Sequence, residues 1–342
     1  MSTADPVTGT AQKRRVETRE LERVLLRILD GQMGRMAILE RRPFPYRSTF
    51  PLEEIVLGLA DGDRRSLVFK DLSRYGPTDP VWGVKAPFLH DPLREIEVYR
   101  DVLAPNGVSA PECVASVVEP DRGRYWLFLE KIHGDLLWQV GNMDEWCLAA
   151  SWLARMHTRF AGRTKALPPR LVVHNREHYA RWIERAREFV RWPELANRQG
   201  RGFDWLSRRY LSVVERMVDG PTTFLHGEFY PSNIVIEGSG DWIGICPVDW
   251  EMAAVGRGIL DLAALASGAW GEAERRALTA AYREALPARG RPSLSTLVED
   301  LDRARFLLAV QWLGWSAAWT PPPQHAHDWL ATALELAEAV GS

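Results

Sequence analysis

Several things are scarce in this chain. It has only three cysteines in 342 residues, Cys113, Cys147 and Cys246. They lie far apart and lack metal-type spacing, so neither a disulfide framework nor a thiolate metal site is expected. No charge of one sign dominates: 43 Lys and Arg stand against 45 Asp and Glu. A nucleic-acid surface needs a basic excess, so no nucleic acid is expected as a partner. No run approaches the roughly 20 apolar residues that cross a bilayer, so no membrane partner is expected. The early segment Gln12-Lys13-Arg14-Arg15 is polar and charged, with no apolar core of a secretory signal. The expected compartment is a reducing cytoplasm. No internal repeat and no low-complexity run appears. Nothing in the composition sets the oligomeric state.

A chain of this length can bury a sizeable core, as one large domain or as two lobes. Its most informative stretch is Phe224-Leu225-His226-Gly227-Glu228-Phe229-Tyr230-Pro231-Ser232-Asn233-Ile234-Val235-Ile236, followed by Ile245-Cys246-Pro247-Val248-Asp249-Trp250-Glu251. The first part reads as a polar loop entering a strand, and the second as a strand ending on a carboxylate. Between them, Glu237-Gly238-Ser239-Gly240-Asp241 separates two apolar runs, which is a hairpin pattern. Such a hairpin brings Asn233 close to Asp249. An amide oxygen beside a carboxylate suits a hard cation such as Mg²⁺. A surface turn next to an unrelated acidic strand end would carry the same letters.

His226, Glu228 and Asn233 stand in the register of the His-x-Asp-x-x-x-x-Asn loop of kinases, with Asp249 as the later metal-binding Asp. With Gly227 at the second position, the chain resembles the aminoglycoside phosphotransferase and choline kinase-like family. One residue departs: the family has Asp where this chain has Glu228. The resemblance covers roughly residues 44–270. It implies an α+β, two-lobed, protein kinase-like fold, with a small antiparallel-sheet N-lobe and a larger, mainly helical C-lobe. The implied division is a tail and helix at 1–43, a nucleotide-binding N-lobe at 44–133, and a C-lobe at 134–342 holding the catalytic loop, metal site and acceptor pocket.

The N-lobe reading places a helix over about 13–30, with stripe Leu21, Val24, Leu25, Ile28 and Leu29. Strands are expected at 52–59 and 66–72, joined by the Asp61-Gly62 turn. By resemblance, Lys70 at the end of the second strand reaches the nucleotide phosphates. No Gly-x-Gly-x-x-Gly is present, so Ser48 and Thr49, in the loop at 46–50, are the candidates for phosphate contact. Asp91-Pro92 opens a helix. On it Glu95, nearer the apolar face than Glu97, is the expected partner of Lys70. Strands follow at Cys113–Val118 and Tyr125–Ile132. By resemblance, the backbone of Glu130 to Ile132 reads the adenine edge.

In the C-lobe, helices are expected at 144–160, after Asn175, at about 204–218, and at about 272–287, 294–319 and 325–340. His157 reads as a buried structural histidine. By resemblance, Asp261 holds the backbone of the catalytic loop, and Glu251 is either solvated or near a second metal. Trp312, Trp315 and Trp319 recur at helical spacing, either as core or as an aromatic wall for an apolar or sugar-like acceptor. Glu299, Asp300 and Asp302 are either a solvated face or part of a pocket for a polycation.

The resemblance implies an ATP- and Mg²⁺-dependent phosphotransferase acting on a small-molecule hydroxyl, with GTP as a possible donor. Lys70 and Mg²⁺, held by Asn233 and Asp249, neutralise the phosphates, and Glu228 takes or orients the hydroxyl proton. Glu228 in place of Asp leaves a second reading open, a nucleotide-binding pseudokinase with a regulatory role. A protein kinase is disfavoured by Gly227 and by Asp249-Trp250-Glu251 where Asp-Phe-Gly would stand.

Overall fold

The structure, a computed structural model, describes residues 16–29, 36–44, 50, 52–73, 86–140, 142–190, 193–239, 242–268, 270–316 and 327–340. Ser48, Thr49 and Trp319 lie outside the described residues. Contacts divide the chain into two compact units, Met1–Ile96 with Pro111–Lys131 and Glu97–Ala110 with Ile132–Ser342.

Among the described residues, the first unit holds a five-stranded antiparallel sheet, a helix packed on it and most of a short helix, Arg94–Glu97, that carries Glu95. Strands β1 (Met36–Pro43), β2 (Leu52–Leu59), β3 (Arg64–Asp71), β4 (Cys113–Glu119) and β5 (Arg124–Glu130) take the order β1-β2-β3-β5-β4. Helix α1 (Thr18–Ile28) lays Leu21, Val24 and Leu25 on Ile55, Leu57, Leu67, Phe69, Trp126 and Phe128. Removing these side chains from water is the main stabilisation of a unit of this size. The edge strand β1 is bulged between Ile38 and Glu40, and Glu22 of α1 accepts the Ile38 N–H at 2.9 Å. An edge N–H met by a side chain is one less template for foreign pairing.

Strand β1 was not among the expected strands; its burial alternates only over its first half, and charged Glu40, Arg41 and Arg42 hide the pattern. Arg41 and Arg42 pair with Glu53 and Glu54 of β2.

The second unit is mainly helical. Its strands are short: β6 (Asp135–Leu136), β7 (Val172–Val173), β8 (Thr223–Leu225), β9 (Ile234–Ser239), β10 (Trp242–Pro247) and β11 (Ala254–Gly256), in sheets ordered β10-β9-β6 and β7-β11-β8. Among the described residues its longer helices are α2 (Met143–Phe160), α3 (Arg176–Val190), α4 (Pro193–Val218), α5 (Ile259–Leu265), α6 (Glu272–Ala285), α7 (Leu294–Ser316) and α8 (Trp329–Ala339). Side chains start four of them: Asn142 accepts the Asp144 N–H before α2, Asn175 the His178 N–H at 2.9 Å before α3, Ser293 the Thr296 N–H before α7, and Asp328 the Ala331 N–H before α8. Helix α4 begins at Pro193, about three turns before its expected start, since proline needs no N–H partner in a first turn. The core holds Trp182, Tyr210, Phe160, Phe224, Phe229, Trp250 and Phe306, all nearly inaccessible. No helix among the described residues is long and apolar enough to cross a membrane.

Candidate active site

The hairpin in the second unit forms as its pattern implies. Strands β9 and β10 pair antiparallel from Ser239↔Trp242 to Ile234↔Pro247. Past that end, Val248 N–H donates to the Asn233 carbonyl at 2.9 Å. Asn233 therefore sits beside the segment that carries Asp249. The Asn233 side chain is fixed as well: its Nδ2 donates to the Glu228 carbonyl at 3.0 Å, which leaves Oδ1 as the acceptor on the other side of the amide.

Core packing orients the loop. Phe229 is fully buried and stacks on Trp152 at 5.7 Å, and Phe224 stacks on Trp250 at 5.6 Å. Glu228 lies between these anchors and keeps partial exposure. Its N–H donates to His226 Nδ1 at 3.3 Å, and its carbonyl also accepts the Tyr230 N–H at 2.7 Å. His226 is inaccessible, and its Nε2 meets the Val248 carbonyl at 3.0 Å. A carbonyl only accepts and a backbone N–H only donates, so this imidazole carries its proton on Nε2 and accepts on Nδ1. His226 thus ties the loop to the strand that leads to Asp249.

Gly227 has φ +85°, and a Cβ there would lie 2.0 Å from the Met252 carbonyl oxygen. Both the left-handed backbone and the close approach exclude any other residue. This reason for the glycine is not visible in the sequence, because Met252 is distant along the chain.

Asp261, at the start of α5, accepts the N–H of His226 on Oδ2 at 2.7 Å and that of Gly227 on Oδ1 at 2.9 Å. His157 Nε2 meets Oδ2 at 3.3 Å, and its Nδ1 meets the Tyr282 hydroxyl at 2.9 Å. Both His157 and Asp261 are almost fully buried. Burial pushes the Asp261 carboxyl up, but the His157 hydrogen bond and charge, together with the His226 backbone N–H, hold its pKa below the usual value.

Asp249 adopts φ 65° and ψ 64°, the one positive φ outside glycine among the described residues. Such a conformation costs on the order of 1 kcal/mol. Its carboxylate oxygen and that of buried Glu251 lie within 4.8 Å of one another. Two carboxylates and an amide oxygen on adjoining backbone are the donor types a hard divalent cation takes.

The model of the phosphotransferase enzyme family matches residues 59–297. The chain belongs to this family. No curated protein sequence matches it. Among solved structures, a choline kinase of Cryptosporidium parvum shares 16% identity at TM-score 0.59, covering 95% of this chain and 94% of that one. An ethanolamine kinase of Plasmodium vivax shares 12% at TM-score 0.59, covering 97% and 96%. The GDP complex of aminoglycoside 2'-phosphotransferase-IIIa shares 15% at TM-score 0.57, covering 95% and 98%. At these identities the likeness establishes the fold, which is the α+β, protein kinase-like one.

In this phosphotransferase family member, the first unit holds Lys70 and Glu95 as expected. Lys70 is buried, and its Nζ lies 2.7 Å from Glu95 Oε2 and 5.7 Å from the Phe50 ring centroid. Glu97 instead pairs with Arg170 in the second unit at 3.1 Å. Glu130 closes β5, and its N–H donates to the Glu112 carbonyl at 2.9 Å. That N–H is therefore not available to a base, whereas no hydrogen bond among the described residues engages the Ile132 N–H. Sequence reasoning missed Glu54, a buried carboxylate held by Arg42 at 2.9 Å and by Lys131 at 2.7 Å. The Arg42 hydrogen bond, outweighing burial and helped by Lys131, lowers its pKa. The signal was a charged residue directly before the apolar run Ile55-Val56-Leu57.

The tryptophans separate into two groups. Trp315, half-buried, packs on the core residue Trp182 of α3, at 5.3 Å between centroids. Trp312 donates its indole N–H to the Tyr230 hydroxyl at 2.9 Å, on the same loop as Glu228. The acidic side chains of α7 are all matched by arginine: Glu299 by Arg303, Asp300 by Arg257 and Arg303, Asp302 by Arg305.

Proposed function

We propose that this phosphotransferase moves the terminal phosphoryl group of Mg²⁺-ATP, or of Mg²⁺-GTP, to a hydroxyl of a small molecule. The observation that carries the reading is the seam between two segments. Asn233 is joined to Val248 by its carbonyl and to Glu228 by its side chain. One short stretch therefore presents a proton acceptor, an amide oxygen and, one residue past the seam, a carboxylate.

Asn233 and Asp249 would hold the metal, with Glu251 as a further oxygen donor near Asp249. When bound, Mg²⁺ supplies charge neutralisation at the phosphates. Lys70, kept extended by Glu95, adds fixed positive charge. Ser48 and Thr49 would donate hydroxyls to phosphate oxygens, and the Glu130 carbonyl with the Ile132 N–H would meet the base. Glu228 would accept the proton of the attacking hydroxyl, aligned by the anchored loop.

A nucleotide-binding module without transfer is the alternative, favoured only by Glu228 standing where the family has Asp. The test is release of nucleoside diphosphate from Mg²⁺-ATP and Mg²⁺-GTP across a panel of hydroxylated small molecules. Acceptor-dependent release supports transfer. Nucleotide binding without release on any acceptor supports the alternative.

A further inference from the structure

The face of the first unit's sheet that carries Lys70 also carries a charged network. Register assigns the faces. Between β2 and β3, Leu52 stands opposite Lys70, Glu54 opposite Val68 and Ile55 opposite Leu67. On β1, Arg42 stands opposite Glu54. Ile55, Leu67 and Phe69 pack with α1, so alternation puts Arg42, Glu54, Val68 and Lys70 on the other face. Leu127 and Leu129 of β5, opposite Lys70 and Val68, share that face and are buried. The Glu54–Val68 pair lies two residues along β3 from Lys70, about 7 Å.

At that pair a carboxylate holds two cations. Glu54 is almost inaccessible. Its Oε1 accepts from Lys131 Nζ at 2.7 Å and from Arg42 Nη2 at 3.1 Å, and its Oε2 accepts from Arg42 Nε at 2.9 Å. Lys131 follows β5, and β3 lies between β5 and β2 in the sheet. The lysine stem therefore runs across β3 on the Lys70 face. The backbone of Lys131 is held as well: its N–H donates to the Ser66 carbonyl of β3 at 3.2 Å. An apolar residue at 54 would continue the buried surface of Leu127 and Leu129 and avoid the cost of taking ions out of water. A network kept at that cost has a task other than packing.

We infer that Glu54 is a positioning residue for the base of the nucleotide, acting through Lys131. The Lys131 carbonyl and the Ile132 N–H share one planar peptide unit. Lys131 is pinned at its own N–H and at its ammonium. Little more than one backbone rotation is left to it, so the Ile132 N–H is presented to the base in a narrow range of directions. Lys70, further along the same face, serves the phosphates instead. The inference rests on the nucleotide-dependent phosphotransfer reading above, and divides the Lys70 face into a phosphate end and a base end.

The test is calorimetric titration of the full chain with Mg²⁺-ATP and Mg²⁺-GTP, and with Mg²⁺-tripolyphosphate as a probe that lacks the base. The proteins are the parent, Glu54→Gln, Lys131→Met and the double variant. Each single variant should bind the better nucleotide about two- to tenfold more weakly, the worth of one polar contact. The double variant should lose no more than the weaker of the two, because the residues act as one unit. Tripolyphosphate affinity should be the same in all four proteins, which a general loosening of the sheet would not produce. In the transfer assay the effect should fall on the nucleotide KM rather than on turnover. Lys131→Met leaves the Arg42–Glu54 pair in place, so it carries the test if Glu54→Gln does not fold. Unchanged nucleotide affinity in Lys131→Met overturns the inference, as do additive losses or an equal loss for tripolyphosphate. Weaker nucleotide binding in both variants, with no transfer to any acceptor, would keep the positioning role and contradict the phosphotransfer reading. Transfer with an unaltered nucleotide KM in both variants would do the reverse.

Discussion

Glu228→Gln is expected to lower turnover by about 10²–10⁴-fold, the usual worth of a positioned proton acceptor, while Mg²⁺-nucleotide affinity stays near that of the parent. The amide keeps the size of the side chain and removes the basic oxygen. The Glu228 backbone bonds to His226 Nδ1, Tyr230 N–H and Asn233 Nδ2 do not depend on the side-chain charge. Glu228→Asp should keep measurable activity. The shorter side chain withdraws the carboxylate by about one C–C bond, and a reduced turnover with a raised acceptor KM is the expected pattern. Steady-state kinetics on the three proteins decide the matter. Equal turnover in Glu228→Gln and the parent would remove Glu228 from the chemistry.

Asp261→Ala should strongly destabilise the second unit. The carboxylate is almost inaccessible and accepts two backbone N–H groups and the His157 ring. Removing it strands those donors out of water, at about 1–3 kcal/mol each. A loss of roughly 3 kcal/mol or more in denaturant unfolding is expected, a large share of a typical domain's stability. Asp261→Asn keeps one accepting oxygen but sets an amide N–H₂ against a donor, so it should be destabilised as well. A change below about 1 kcal/mol in both variants would show that the network does not hold the loop.

How much of this was legible in the sequence depended on the range of the interaction. The β9–β10 hairpin was legible because turn residues between two apolar runs announce it locally, and Asn233 beside Asp249 follows from the antiparallel register. The Lys70–Glu95 pair was legible from the resemblance and the helix face together. The role of Asp261 came from the resemblance alone, since nothing local to residue 261 points to residues 226 and 227. Strand β1 was hidden by its charged second half, and the partners that make sense of Arg42 and buried Glu54 lie on β2 and just past β5. Helical spacing put Trp312 and Trp315 in one stripe, yet the structure sends one to the loop of Glu228 and Tyr230 and the other to α3. Period alone cannot separate two faces whose fates depend on different neighbours.

The central claim, a metal-dependent nucleotide site built on the Asn233–Asp249 seam, is tested most directly by thermal unfolding with and without Mg²⁺-nucleotide. A ligand at about 100 times its dissociation constant adds roughly 2.7 kcal/mol of stability, a shift that such a scan resolves. A rise with Mg²⁺-ATP or Mg²⁺-GTP that needs the metal and disappears in Asp249→Asn is the predicted result. No shift with either nucleotide at millimolar concentration would contradict it, as would an equal shift in Asp249→Asn.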